Sequence, residues 1–158
     1  MSELQSIQAQ LQQLKDAEEI RTLRHRYAYL ANVVDGEAGD PVEFASLFAV
    51  DGTLDLGMGV ATGRDEIVAM MQSATTQWVC AMHYMINPLI DLRGDQADGR
   101  VSGLFAFTTV DNPSPIWLSN IYTDTYVRTA EGWKFQSVTI KTTFVDPKFM
   151  EAYADLLE

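Results

Sequence analysis

A chain of 158 residues, 47% of them hydrophobic, has the size of one domain that can bury roughly 70% of its unfolded surface. Its 22 acidic and 11 basic residues give a formal charge of −11, which repels nucleic-acid phosphates and anionic membranes and argues against both as partners. Cys80 is the only cysteine, and without paired Cys or His spacing the sequence predicts no metal or other cofactor. The start lacks a basic and apolar signal segment, which predicts a cytoplasmic protein.

The first predicted element is a long helix. From Glu3 to about Val33, apolar residues recur at three- and four-residue steps, which is typical of an amphipathic helix. Residues 1–15 are rich in glutamine and form a possible helical extension that could meet another subunit. Asp16 and Glu19 resemble a capping box at which the helix could restart.

Two shorter helices are predicted next. Asp40 and Pro41 supply an N-cap and first-turn signal for a helix that runs through Ala49. After a segment that reads as a short hairpin, Gly63 leads into a third helix from Glu66 to about Ala74.

From Trp78 onward the pattern changes to long strands separated by turn signals. The predicted strands are about Val79 to Leu92, Ala97 to Val110, Ile116 to Thr129 and Trp133 to Thr143. Sequential long strands form an antiparallel meander, and the three helices must cover one face of it. We therefore predict one α+β domain over residues 1–158. It is a cone in which a strongly curved, mainly antiparallel sheet and three helices enclose a pocket, followed by a C-terminal helix or tail from Val145 to Glu158.

One histidine stands within the uncharged run WVCAMHYMINPLI. On a strand, alternation places Ala81, His83, Met85 and Asn87 on one face. A histidine among apolar side chains loses hydration unless its ring N–H finds an acceptor, and Asp35 is the candidate. The alternative is a structural histidine that binds a backbone carbonyl.

Several segments occur in a defined order over nearly the whole chain: AEEIRTLRHRYAYL, VVDG, FASLFAVDGTLDL, GRDEI, MHYMINPLI and YTDTYVRTAEGWKF. Their order and spacing resemble the SnoaL-like branch of the nuclear-transport-factor-2-like cone folds. This branch includes scytalone dehydratase, bile-acid dehydratase and hexachlorocyclohexane dehydrochlorinase. The resemblance implies the same cone and a pocket for a small molecule.

The resemblance also implies catalytic residues. In this branch an aspartate after the first long helix orients a histidine on the strand after the third helix, and the positions correspond to Asp35 and His83. The carboxylate would accept the Nδ1 proton while Nε2 takes a carbon-bound proton from the substrate. Tyr27 corresponds to a tyrosine near the substrate oxygen, although an ordinary aromatic core residue is an equal alternative.

Substrate-contacting residues follow from the same comparison. Asn120 and Tyr122 fall where relatives place polar contacts, and Phe105, Met85 and Trp117 are expected to supply core and pocket walls. The two cationic positions of the dehydrochlorinase correspond here to the apolar residues Leu30 and Val138, which disfavours chloride elimination. With Phe105 near the place of a further acidic or histidine side chain, the implied substrate is hydrophobic, polycyclic or terpenoid-like.

The predicted function is therefore that of a cofactor-independent lyase or isomerase, with dehydration preferred to double-bond migration as in a ketosteroid-isomerase-like enzyme. The alternative from another class is a non-catalytic module for ligand binding or assembly. The apolar tail and the first helix predict a homo-oligomer, and the resemblance favours a trimer over a dimer.

Overall fold

The computed structural model describes residues 2–147, which form three helices and eight strands. The elements are α1 (Glu3–Ala31), β1 (Val33–Val34), β2 (Glu37–Ala38), α2 (Pro41–Ser46), β3 (Phe48–Asp55), β4 (Val60–Thr62), α3 (Arg64–Ala74), β5 (Trp78–Arg93), β6 (Gln96–Thr109), β7 (Ile116–Thr129) and β8 (Gly132–Val145). The predicted C-terminal helix or tail lies almost entirely outside the described residues.

Helix α1 is continuous from one end to the other. It begins at a capping box, in which the Gln5 N–H donates to Ser2 Oγ at 3.3 Å and the Ser2 N–H donates to Gln5 Oε1 at 2.8 Å. The predicted restart at Asp16 and Glu19 is wrong, because Asp16 lies inside the helix and its carboxylate binds Arg128 instead. The helix ends at Ala31, two residues earlier than predicted.

All eight strands belong to one curled sheet in the order β2-β1-β5-β6-β7-β8-β3-β4. Strands β5 to β8 form the predicted antiparallel meander, and β3 runs parallel to β8 at its edge. The α+β prediction is confirmed. Helix α2 stops at Ser46 rather than Ala49, because Phe48 already pairs with Phe135 as the first residue of β3.

The helices cover one face of the sheet, here called the inward face. Alternate residues of β6 and β7 are buried on this face, as their period of two requires. Gly99 and Gly103 of β6 leave room for two tyrosine rings: a Cβ at Gly103 would lie 2.4 Å from Tyr122 Cε2, and a Cβ at Gly99 would lie 2.7 Å from Tyr126 Cε2. The two rings therefore lie across β6.

A partly buried ion pair connects α1 to the sheet. Arg128 donates from Nη1 and Nη2 to the two carboxylate oxygens of Asp16 at 2.7 and 2.6 Å, and Trp133 Nε1 donates to the same carboxylate at 3.2 Å. Such bidentate, charge-assisted contacts are stronger than neutral hydrogen bonds. They lower the pKa of Asp16 to about 2, chiefly through the hydrogen bonds from Arg128.

A β-bulge changes the predicted alternation of β5. The register with β6 shifts between Ile86 and Leu89, and Asn87 adopts a positive φ of 53° and is exposed. Ala81, His83 and Met85 therefore share the inward face, but Asn87 does not. No helix within residues 2–147 is both long enough and apolar enough to cross a bilayer.

Candidate active site

His83 lies on β5 and is held by the end of helix α1. Its backbone N–H donates to Asn32 Oδ1 at 2.7 Å, and the same oxygen lies 3.3 Å from the ring nitrogen Nδ1. Asn32 reaches this position because it caps α1 directly before Val33, which pairs with Ala81 of β5. The His83 ring stacks on Phe105, with ring centroids 4.4 Å apart.

The contact with Asn32 selects a tautomer of the imidazole. Because the amide oxygen accepts the backbone N–H, it can also only accept from the ring, so the neutral imidazole carries its proton on Nδ1. Nε2 is then the nitrogen with the free lone pair, which is the atom that a general base uses.

The predicted pairing of His83 with Asp35 is wrong. Asp35 has a φ of 53° and Gly36 a φ of 80°, and together they form the turn between β1 and β2. Two successive positive φ values are the signature of a tight hairpin turn. The hairpin carries Asp35 to an exposed tip, while Asn32, three residues earlier, stays beside the imidazole.

Burial keeps the His83 ring uncharged. Desolvation, together with the positive charge of Arg24, lowers the pKa of His83 to about 3. A neutral amide at Nδ1 offers the imidazolium less stabilisation than a carboxylate would. His83 is therefore a neutral but weak base at physiological pH.

The sequence reading did not identify Arg24, which is buried at the centre of the fold. Its guanidinium carbon lies 4.4 Å from the ring centroid of Tyr27 and 4.2 Å from that of Tyr122, within cation–π range. Arg24 Nε stands 3.5 Å from Asp124 Oδ2, and the Tyr126 hydroxyl donates to the same oxygen at 2.7 Å. A buried ion pair thus occupies an aromatic interior.

This ion pair leaves several polar atoms without partners. Within residues 2–147, the buried side-chain atoms that have no hydrogen-bond partner are the three guanidinium nitrogens of Arg24, Asn120 Oδ1 and Asp124 Oδ1. Unpartnered buried polar atoms are costly and uncommon in native proteins. Burial raises the pKa of Asp124, with the Arg24 charge and the Tyr126 hydrogen bond acting in the opposite direction.

Periodicity offered a signal for Arg24. It lies four residues after Ile20 and three before Tyr27, so it falls on the apolar stripe of α1 that faces the sheet. The neighbouring His25 and Arg26 are exposed. A charge on a buried stripe needs a partner in the interior, and Asp124 on the inward face of β7 is that partner.

The other predicted site residues fall into two groups. Asn120 and Tyr122 are buried on the inward face of β7, Tyr27 faces them from α1, and Met85 packs partly buried against the same core. Burial raises the pKa values of Tyr27 and Tyr122, so both hydroxyls keep their protons at neutral pH. Trp117 is different. It lies on the opposite face of β7, is 40% exposed, and does not line the interior, so its prediction as a pocket wall is wrong.

A surface groove of about 530 Å³ opens beside the histidine. Asn32, Asp35 and Met82 are among the residues that line it. Asn32 thus lines this groove and also contacts His83. Within the described part of the chain, no group of three or more His, Cys, Asp or Glu side chains could hold a metal ion.

A single curled, mainly antiparallel sheet covered on one face by helices places the chain among the cone-shaped α+β folds. The chain belongs to the SnoaL-like domain family, whose model matches residues 12–139. The resemblance predicted from the sequence is thereby confirmed. A comparison with curated proteins finds no match.

Solved structures share the fold. A nuclear-transport-factor-2-like protein with a cystatin-like fold from Novosphingobium aromaticivorans has a TM-score of 0.76 and 24% identity, with 100% of this chain and 99% of that chain covered. A proposed scytalone dehydratase from the same species has a TM-score of 0.73 and 24% identity over 85% and 88%. A hexachlorocyclohexane dehydrochlorinase, LinA type 3, from Novosphingobium barchaimii has a TM-score of 0.76 and 20% identity over 87% and 93%. At these identities the likeness concerns the fold.

Proposed function

We propose that this protein is a cofactor-independent lyase or isomerase in which His83 removes a carbon-bound proton from a small hydrophobic substrate. Loss of water is the favoured reaction, and migration of a double bond is the second. Membership of the SnoaL-like family supports this class, as do structural relatives whose names denote elimination reactions. The observation that carries the proposal is the contact of Asn32 with Nδ1, which leaves Nε2 free to accept a proton.

The proposed reaction uses groups of the interior. Nε2 of His83 takes the proton, and negative charge develops on the substrate oxygen. Tyr27 and Tyr122 keep their hydroxyl protons and can donate to that oxygen, while the Arg24 charge stabilises it. In a dehydration the proton then passes to the leaving hydroxyl, which departs as water; in an isomerisation it returns to another carbon.

The test is a His83→Gln variant compared with His25→Gln, because these are the two histidines of the chain and His25 is exposed on α1. Hydroxy-ketones and unsaturated ketones of polycyclic and terpenoid type serve as substrates. Removal of a general base typically costs about 10²- to 10⁴-fold in rate. We expect such a loss in His83→Gln, unchanged turnover in His25→Gln, and intact circular dichroism in both. Turnover by His83→Gln close to that of the unmodified protein would exclude His83 as the base.

A second candidate, a non-catalytic binding module, is favoured by the chemistry of His83 itself. A pKa of about 3 makes the imidazole a weak base, and Phe44, Phe48 and Phe135 fill the interior beside Tyr27. A binder would take up ligand without converting it, and His83→Gln would change affinity but no rate. Product analysis after long incubation of the unmodified protein with bound ligand separates the two candidates.

We also propose a homo-oligomer, with a trimer preferred to a dimer by family resemblance. Apolar side chains in the first half of α1 are at least half exposed: Leu4, Ile7, Leu11 and Leu14. The outer face of the sheet adds Tyr84, Trp117 and Phe144, each at least 40% exposed. Exposed apolar stripes of this kind are typical of interfaces. Light scattering at micromolar concentration that gave a monomer mass would contradict the proposal.

A further inference from the structure

We infer that Arg24 is the anchor of a carboxylate subsite inside the cone, so that the substrate is a hydrophobic molecule carrying a carboxylate. This inference rests on the proposed function for its reaction, but its binding claim can be tested separately. It assigns a substrate class to the same interior and a role to a residue that lies one helical turn from Tyr27.

The first support is the set of unpartnered donors. Arg24 is 2% exposed, and none of its three guanidinium nitrogens has a hydrogen-bond partner within residues 2–147. Its Nε lies 3.5 Å from Asp124 Oδ2 without meeting hydrogen-bond geometry. A planar guanidinium presents its donors in a fork that matches the two oxygens of a carboxylate. A ligand carboxylate would therefore satisfy donors that the protein leaves open.

The second support is the way the guanidinium is held. The rings of Tyr27 and Tyr122 lie 4.4 and 4.2 Å from its central carbon, and Phe135 lies 5.5 Å away. Aromatic faces hold a cation through their quadrupoles without using its N–H groups. The rings therefore fix the position of Arg24, and the surrounding apolar walls strengthen any contact with an anion.

The partner Asp124 controls this site through its protonation state. A fully ionised Asp124 would neutralise Arg24 and oppose a second carboxylate; burial raises the pKa of this acid, and the charge of Arg24 acts in the opposite direction. Its Oδ1 is also unpartnered, so a protonated Asp124 could donate a hydrogen bond to the same ligand. Asp124 thus competes with the ligand when charged and assists it when neutral.

The register of the sheet places this subsite at a useful distance from His83. His83 pairs with Phe105, and the Tyr122 ring under Arg24 lies across Gly103, two residues along β6 from Phe105. Two residues of a strand span roughly 7 Å. If the carboxylate of a substrate were bound at Arg24, the substrate carbon that reaches His83 would lie about one or two ring widths from that carboxylate.

The test uses 2-naphthoate and its neutral analogue 2-naphthamide as probes, with affinities measured by isothermal titration calorimetry. Hydrogen bonds between two charged groups are stronger than those to a neutral amide, so we expect naphthoate to bind roughly 10- to 100-fold more tightly than naphthamide. His83→Gln should keep this preference, since it removes the base and not the anchor.

Variants assign the preference to Arg24. Arg24→Met alone leaves Asp124 buried without its partner, so the double variant Arg24→Met/Asp124→Asn removes both charges together. We expect the two probes to bind equally to the double variant. Arg26→Met is the matched control, because Arg26 lies two residues away on the same helix and is exposed in an ion pair with Glu43; it should keep the preference.

Three results would overturn the inference: no binding of either probe, equal binding of both by the unmodified protein, or a preference that persists in the double variant. If any of them occurs while His83→Gln still abolishes turnover of neutral ketones, the carboxylate subsite fails and the proposed function stands. If the preference follows Arg24 but His83→Gln is fully active, the subsite stands and the proposed base fails.

Discussion

Replacing Asn32 by Asp would test how His83 is held. The substitution keeps an acceptor oxygen at the position that lies 2.7 Å from the His83 backbone nitrogen and 3.3 Å from Nδ1, and it adds a negative charge there. An opposite charge at about 4 to 6 Å or closer moves a pKa by roughly one to three pH units toward the charged form. We expect the pKa of His83, about 3 in the unmodified protein, to rise to between about 4 and 6 in Asn32→Asp.

The same substitution should change the pH dependence of stability. A histidine whose folded pKa lies below the ordinary 6.5 binds fewer protons in the folded than in the unfolded state, so stability is fully present above pH 6.5 and declines below it. The decline is about 1.4 kcal/mol per pH unit, or roughly 2 kcal/mol between pH 6.5 and pH 5. In Asn32→Asp this His83 contribution should be smaller, because its pKa lies closer to 6.5.

Proton NMR of the imidazole Cε1–H gives the pKa directly. The chain has two histidines, so a His25→Gln background leaves one imidazole to follow, with or without Asn32→Asp. Urea denaturation at pH 5 and pH 7 in the same background measures the stability. A His83 resonance that titrates near 6.5 beside Asn32, or one that does not move in Asn32→Asp, would refute the arrangement of a buried imidazole held by a neutral amide.

Two further predictions concern the interior. Asp16→Asn should lower the free energy of unfolding by roughly 2 kcal/mol at pH 7, since a carboxyl whose pKa falls from 3.8 to about 2 on folding contributes that amount above pH 4 and loses it as the pH falls to 2. Urea denaturation should therefore show a difference between variant and unmodified protein at pH 7 that shrinks near pH 2.5; an equal difference at both would contradict it. Gly103→Ala should cost about 1 to 3 kcal/mol, because the new Cβ meets the Tyr122 ring at 2.4 Å, whereas the control Ser102→Ala on the outward face of β6 should cost less than about 0.5 kcal/mol. Equal urea midpoints for these two variants would show that the Tyr122 ring moves without cost.

The strands and helices were predictable because each obeys one period over many residues. The boundaries of these elements were less predictable, and the candidate site depends on the boundary between α1 and β1. Val33, Val34, Asp35 and Gly36 form a short strand and a tight turn, and an Asp-Gly pair after β-branched residues is a known hairpin signal. The family resemblance indicated Asp35 as the partner of the histidine, but this turn carries Asp35 away and leaves Asn32 beside His83.

The side of the sheet on which Trp117 lies was also predictable. Side chains alternate between the two faces of a strand, so the prediction that Asn120 and Tyr122 face inward assigns all even-numbered residues of β7 to the inward face. Trp117 is odd-numbered and therefore faces outward. Size and hydrophobicity suggested a pocket wall, and alternation alone would have excluded it.

A charged residue on a buried face indicates which elements pack together, because it requires a partner of opposite charge, whereas an apolar residue can pack against many others. Asp16 and Arg24 both lie on the buried stripe of α1, and Asp124 and Arg128 both follow the even-numbered positions of β7. Asp16 and Arg24 are eight residues apart on the helix, or about 12 Å. Asp124 and Arg128 are four residues apart on the strand, or about 14 Å. The spacings match, so Asp16 can meet Arg128 while Arg24 meets Asp124, as the structure has them.

This match also sets the direction of the helix. If α1 ran the other way across β7, Asp16 would face Asp124 and Arg24 would face Arg128, and like charges in a low-dielectric interior repel strongly. Each element contributes one acidic and one basic residue, and these attract each other only when α1 runs antiparallel to β7. The two ion pairs therefore favour both the observed register and the observed orientation of α1. The pair at Arg128 is fully hydrogen-bonded, while the pair at Arg24 leaves its donors open. The first accordingly acts as the structural fastening, and only the second retains donors that a ligand can use.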